Sequence, residues 1–149
     1  MKNYDPKVAA QVWGRVQNAN PAGDSQAILK LIEEELLDAA TYQKLARRLP
    51  PPQAAIARQL SQQEQTHAIC LKGIYTMLSG EKPTLSPPAV TDDPPGITLR
   101  RCYGREMRCL AQYEARRGDP LYGHIFRRLA QEEQSHCHRL LELLGALTK

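Results

Sequence analysis

The sequence predicts an all-α protein, an antiparallel four-helix bundle with a short N-terminal lead-in helix, and three observations carry that expectation. Aromatic residues make up only 5% of the chain while Ala, Leu, Gln, Glu and Arg are plentiful, a composition that favours helix over sheet. Apolar residues recur in alternating steps of three and four along four stretches, as helices packed against neighbours require. Proline clusters and glycines mark where those stretches stop. At 149 residues the chain fits one domain, large enough to bury a core without staples.

Taken in order, residues 1–24 are a lead-in segment in which Val8, Val12, Trp13 and Val16 can form a short amphipathic helix covering a bundle end or a subunit contact. The stretch NANPAGDS breaks it, and Asp24 or Ser25 can cap the next helix. Helix one is expected from Ser25 to Leu49, with the seam Ile28, Ile32, Glu35, Ala39, Tyr42, Ala46, Leu49, and is ended by Pro50, Pro51 and Pro52. The same prolines start helix two, which completes residues 25–80 and stops at Ser79-Gly80, where glycine suits a left-handed cap. Its seam reads Ala57, Leu60, Glu64, His67, Leu71, Ile74, Leu78.

Residues 81–98 hold five prolines and read as an extended crossover. A short turn would make helices two and three antiparallel neighbours, whereas this length carries the chain along the whole bundle. Helix three, from Thr98 to Arg117, has the seam Leu99, Tyr103, Glu106, Leu110, Tyr113 and stops at Gly118. Asp119-Pro120 then reads as a helix start, and residues 99–147 complete helices three and four. The last seam is Phe126, Leu129, Glu133, His136, Leu140, Leu143, Leu147.

Several function classes find no support. The net charge of +4 comes largely from arginines at helix ends and on outward faces, with no basic run interleaved with aromatics, so no nucleic-acid partner is expected. Cys70, Cys102, Cys109 and Cys137 contain no Cys-x-x-Cys pair, which removes a zinc ribbon or a rubredoxin-type iron site and leaves reduced, packed thiols. The N-terminus lacks a long apolar region and no run is long enough to cross a bilayer, so a soluble cytoplasmic protein is expected.

The chemistry lies in the seams. Glu64-x-x-His67 and Glu133-x-x-His136 each put a carboxylate and an imidazole on one helix face, at positions that packing would otherwise fill with apolar side chains. The chain is an internal duplication: Glu35 and Tyr42 match Glu106 and Tyr113 at the same seven-residue offset, and the two Glu-x-x-His pairs match each other. Four carboxylates left unpaired in a core would cost several kcal/mol each or take up protons. Two divalent cations cancel four negative charges, and two neutral imidazoles complete the ligand set. Oxygen-rich ligands with a few imidazoles suit iron or manganese better than zinc.

The pattern Glu35, Tyr42, Glu64-x-x-His67, Glu106, Tyr113, Glu133-x-x-His136, with its crossover, resembles the ferritin-like superfamily over residues 25–147, and in length most resembles the rubrerythrin branch. The resemblance implies a ferritin-like bundle holding two iron ions, with manganese as the substitute. It implies that Glu64 and Glu133 bridge the metals, that Glu35 and His67 serve one, and that Glu106 and His136 serve the other. Tyr42 and Tyr113 would hydrogen-bond to the ligand carboxylates.

By the same likeness the protein is a di-iron oxidoreductase that reduces hydrogen peroxide or dioxygen, and a homodimer. Two departures stand out. Rubrerythrins usually carry a second helix-three glutamate, tied to the metal shift of peroxide reduction, where this chain has Cys109. They also commonly carry a rubredoxin domain, absent here, so an external electron donor such as a rubredoxin is implied. The plainer six-ligand set is similar to ferroxidase centres, which gives an iron-handling alternative; a metal-binding scaffold without turnover and a hydroxylase are two more.

Overall fold

A computed structural model of the chain describes Lys7 and residues 21–148. Among the described residues there are four helices and no strands: α1 (Pro21–Ala46), α2 (Pro51–Ser79), α3 (Pro95–Glu114) and α4 (Gly123–Leu147). The lead-in helix expected around Val8 to Val16 lies outside the described residues. No helix of the described residues is long and apolar enough to cross a membrane.

The helices pair as two hairpins, α1 with α2 and α3 with α4, and the hairpins meet through α1 against α3 and α2 against α4. That is a four-helix bundle. Its apolar core falls into two clusters. One gathers Ile28, Ile32, Leu71, Ile74, Tyr113, Phe126 and Leu129. The other gathers Tyr42, Leu49, Leu60, Leu99, Leu140 and Leu143. Along every helix the two clusters are separated by buried polar residues: Glu35 and Asp38 on α1, Ser61, Glu64 and His67 on α2, Glu106 on α3, Glu133 and His136 on α4. A polar layer is therefore sandwiched between apolar ones.

Local chemistry places the helix ends. Both α2 and α3 begin with a Pro-Pro step, the first proline as cap and the second inside the first turn, where a missing N–H costs nothing. The first intrahelical bonds match too, Ala54 N–H to the Pro50 carbonyl at 2.8 Å and Thr98 N–H to the Pro94 carbonyl at 3.0 Å. This corrects the expected start of helix three, which is Pro95 rather than Thr98, so the irregular connection is 81–94 and not 81–98. Likewise α1 begins at Pro21 rather than Ser25 and ends at Ala46 rather than Leu49, because Arg48 N–H bonds three residues back to Leu45 and tightens the last turn before the prolines.

Gly80 takes φ 74°, a left-handed cap that suits glycine, and donates its N–H to the Thr76 carbonyl at 2.8 Å. Asp119 Oδ1 accepts from Leu121 N–H and Tyr122 N–H, both at 2.9 Å, so it caps a turn that precedes α4 rather than α4 itself, which starts at Gly123. Likewise α3 ends at Glu114, not Arg117, because Arg116 N–H bonds back to Tyr113 at 3.0 Å.

The connection 81–94 is not loose. Leu85 packs on the first cluster, while Arg48 donates to the Asp93 carbonyl at 2.7 Å and Arg101 pairs with the Asp93 carboxylate.

Candidate metal centre

The six seam residues Glu35, Glu64, His67, Glu106, Glu133 and His136 converge in the polar layer, none more than 1% exposed. Helix periodicity explains the convergence: each Glu-x-x-His pair lies on one face of its helix, and the hairpin packing turns all four faces inward. His67 Nδ1 lies 3.0 Å from Glu133 Oε1 and 3.3 Å from Glu35 Oε2. His136 Nδ1 lies 2.5 Å from Glu64 Oε1 and 3.6 Å from Glu106 Oε2. The two imidazoles stack with centroids 5.4 Å apart. The arrangement has the approximate twofold relation that the duplicated sequence carries.

Each tyrosine crosses to the other hairpin. Tyr42 donates to Glu106 Oε1 at 2.7 Å and Tyr113 to Glu35 Oε1 at 2.5 Å. Burial and then the nearby carboxylates, Glu106 for Tyr42 and Glu35 for Tyr113, push both phenols well above their ordinary range, so both remain protonated donors.

Sequence reasoning passed over four residues. His67 Nε2 meets Glu132 Oε2 at 2.5 Å, and His136 Nε2 meets Gln63 Oε1 at 2.6 Å. Glu132 and Gln63 each stand immediately before the glutamate of a Glu-x-x-His pair, so the duplication itself was the available signal. An amide oxygen only accepts, so on this assignment His136 carries its proton on Nε2 and turns the lone pair of Nδ1 inward. The other two are Asp38, one turn past Glu35 and 1% exposed, and Arg105, whose Nε donates to Asp38 Oδ1 at 2.6 Å.

The electrostatics are unbalanced. Burial, then Glu35 and Glu106, raises Glu64 well above the usual carboxylate range. Burial and Glu106 raise Asp38 likewise, against the pull of Arg105. For Glu35, burial is outweighed by Glu64 and His67 beside it and by the Tyr113 hydroxyl, and its carboxyl is lowered. His67 is raised, burial being outweighed by Glu35 and Glu132.

The unsatisfied atoms test whether a cation fits. Glu35 Oε2, Asp38 Oδ2, both oxygens of Glu64, Glu106 Oε2, Glu133 Oε2 and His136 Nδ1 are buried without a hydrogen-bond partner. His136 Nδ1 and Glu64 Oε1 touch at 2.5 Å but not in hydrogen-bond geometry. Buried polar atoms are otherwise almost always paired, so one layer holding so many orphans is built for a partner that is not protein. Glu64, His67, Glu133 and His136 each bring one donor atom within 4.8 Å of the others, and this buried cluster can hold a metal ion.

Of the four cysteines expected to be buried, Cys102, Cys109 and Cys137 are and Cys70 is exposed; Cys109 packs in the first apolar cluster, and burial, then Glu35, pushes its thiol far above the ordinary range. His124 and His138 are exposed, away from the layer. No family model, curated protein or solved structure matches the chain.

Proposed function

We propose that this chain is a ferritin-like di-iron protein of rubrerythrin type, which reduces hydrogen peroxide or dioxygen with electrons from an external donor. The observation that carries the reading is the set of orphaned carboxylate oxygens beside two imidazoles in a buried layer. On this reading residues 81–94 are the crossover of that fold, and Glu35, Glu64, His67, Glu106, Glu133 and His136 hold the metals. Two bound irons supply the two electrons and the electrophilic centre for the oxygen–oxygen bond.

The chain's own groups do the rest. Tyr42 and Tyr113 keep Glu106 and Glu35 oriented by donating to one oxygen of each and leaving the other free. Glu132 and Gln63 hold the imidazoles with Nδ1 inward. The two apolar clusters exclude water above and below. Reduction of one peroxide to two waters takes two protons. Solvent supplies them, and Glu132, its side chain 38% exposed and its carboxylate on His67 Nε2, lies on the solvent side of that ligand.

The test is metal content by mass spectrometry on protein purified without oxygen, followed by absorbance as peroxide and then air are added. About two irons per chain, oxidised faster by peroxide than by air, is the expected result. No bound iron after reconstitution with the ferrous ion overturns it. Cys109, inert and standing where a further acid would serve peroxide reduction, favours a ferroxidase as the second reading; that predicts faster reaction with air and many irons per chain.

A further inference from the structure

The approximate twofold relation of the centre is broken one turn past Glu35 and Glu106, as it is at the outer partners Glu132 and Gln63. One turn past Glu35 stands Asp38, and one turn past Glu106, its duplicate, stands Cys109. The thiol turns into the apolar cluster. The carboxylate does not: Asp38, Glu64 and Glu106 each bring one carboxylate oxygen within 4.8 Å of the others, all three residues being buried.

Asp38 is only half satisfied. Arg105 Nε takes Oδ1, while Oδ2 is buried with no hydrogen-bond partner, and Glu64 and Glu106 in the same cluster each carry unpartnered oxygens too. If the ion pair with Arg105 were its whole purpose, an aspartate buried among two more carboxylates would be stabilised by the one and repelled by the others. A cation between the three removes the conflict.

We infer that Asp38 is a further metal ligand, which makes the two metal positions unequal. The position served by Glu106 and His136 gains a carboxylate that the position served by Glu35 and His67 lacks. The inference rests on the two-metal reading above. Arg105 fixes the orientation of Asp38 by holding Oδ1, so Oδ2 is the atom presented to the ion, and hard cations preferring oxygen bind there first.

The experiment is a titration of cobalt(II) into the metal-free full chain, followed by absorbance and by calorimetry, for the unmodified protein and for Asp38→Asn. The unmodified chain is expected to bind two ions in two steps. Asp38→Asn is expected to weaken the tighter step by more than about tenfold, the least that loss of even an outer partner of a metal site typically costs, and to leave the other step unchanged. Asp38→Ser combined with Arg105→Met, which removes both members of the ion pair, is expected to do the same.

Two unchanged steps in either folded variant overturn the inference while leaving the two-metal reading intact; no cobalt bound by the unmodified chain overturns both. Should neither variant fold, as judged by far-ultraviolet circular dichroism, anomalous diffraction from cobalt-loaded crystals of the unmodified chain decides. A bond from Asp38 Oδ2 to cobalt supports the inference, and a carboxylate turned away from it refutes it.

Discussion

At the scale of single residues, the imidazoles are more informative than the carboxylates. An imidazole buried among glutamates could be there for charge alone, but both here spend Nε2 on an outer partner, Glu132 or Gln63, and keep Nδ1 for the interior. Fixing one nitrogen fixes which lone pair is offered, which is how metal-binding histidines are commonly held. Gln63→Ala and Glu132→Ala are each therefore expected to weaken metal binding by about 10–100-fold while leaving helix content unchanged, read by competition against a chromophoric chelator. An affinity equal to that of the unmodified chain in both would mean that the imidazoles are not ligands.

Tyr113→Phe probes a different bond. It strips the donor from Glu35 Oε1, leaving that buried oxygen without a hydrogen bond in the metal-free chain, at a cost of about 1–3 kcal/mol. Thermal melting is expected to drop by about 3 °C for each kcal/mol in a chain of this length, with most of the loss recovered on adding metal.

At the scale of elements, the helices follow from seams and stops, and most of the site was legible because its signal is periodic. Glu35, Glu64, His67, Glu106, Glu133 and His136 stand in phase with apolar neighbours, so the face they share could be read from spacing. Asp38 was not legible in that way: it lies three residues past Glu35 but beside the seam residue Ala39, and only the packing of α3 against α1 shows that Arg105 reaches it. Helix starts were missed for a related reason, since the cap of α3 is a proline and not the polar residue a capping rule looks for.

The turn before α4 shows what spacing cannot reveal. A Cβ on Gly123 would sit 2.4 Å from the Arg117 carbonyl oxygen, a backbone atom that cannot swing aside. Gly123→Ala is expected to cost about 1–3 kcal/mol, seen as a lower melting temperature with metal stoichiometry unchanged, because the collision lies in the turn rather than in the polar layer. Melting at the original temperature would show that this turn is looser than its geometry.

At the scale of the whole molecule, the bundle carries a layer of buried charge between two apolar clusters, and its stability must depend on what neutralises that layer. In the metal-free chain the sign is set by the individual groups. Glu64 and Asp38 are raised above their ordinary values of 4.5 and 3.8, so the folded state holds protons that the unfolded state releases, and their penalty shrinks as pH falls toward those values. His67 is raised above 6.5, so its stabilisation is present in full below that value and is lost as pH rises through the higher folded one. Glu35 is lowered, and its contribution disappears only as pH falls below its ordinary value of 4.5.

Between pH 8 and pH 5 the first three groups act in one direction and the fourth is silent. The metal-free protein is therefore expected to melt at a higher temperature at pH 5 than at pH 8. The loaded protein should behave in the opposite sense, because its ligands must be deprotonated and protons displace the ion as pH falls. Melting curves of both forms across that range, measured by circular dichroism at constant ionic strength, should converge toward pH 5 and diverge toward pH 8. Parallel curves would mean that protons and metal do not compete for this layer, and that its carboxylates are neutralised by something other than a cation.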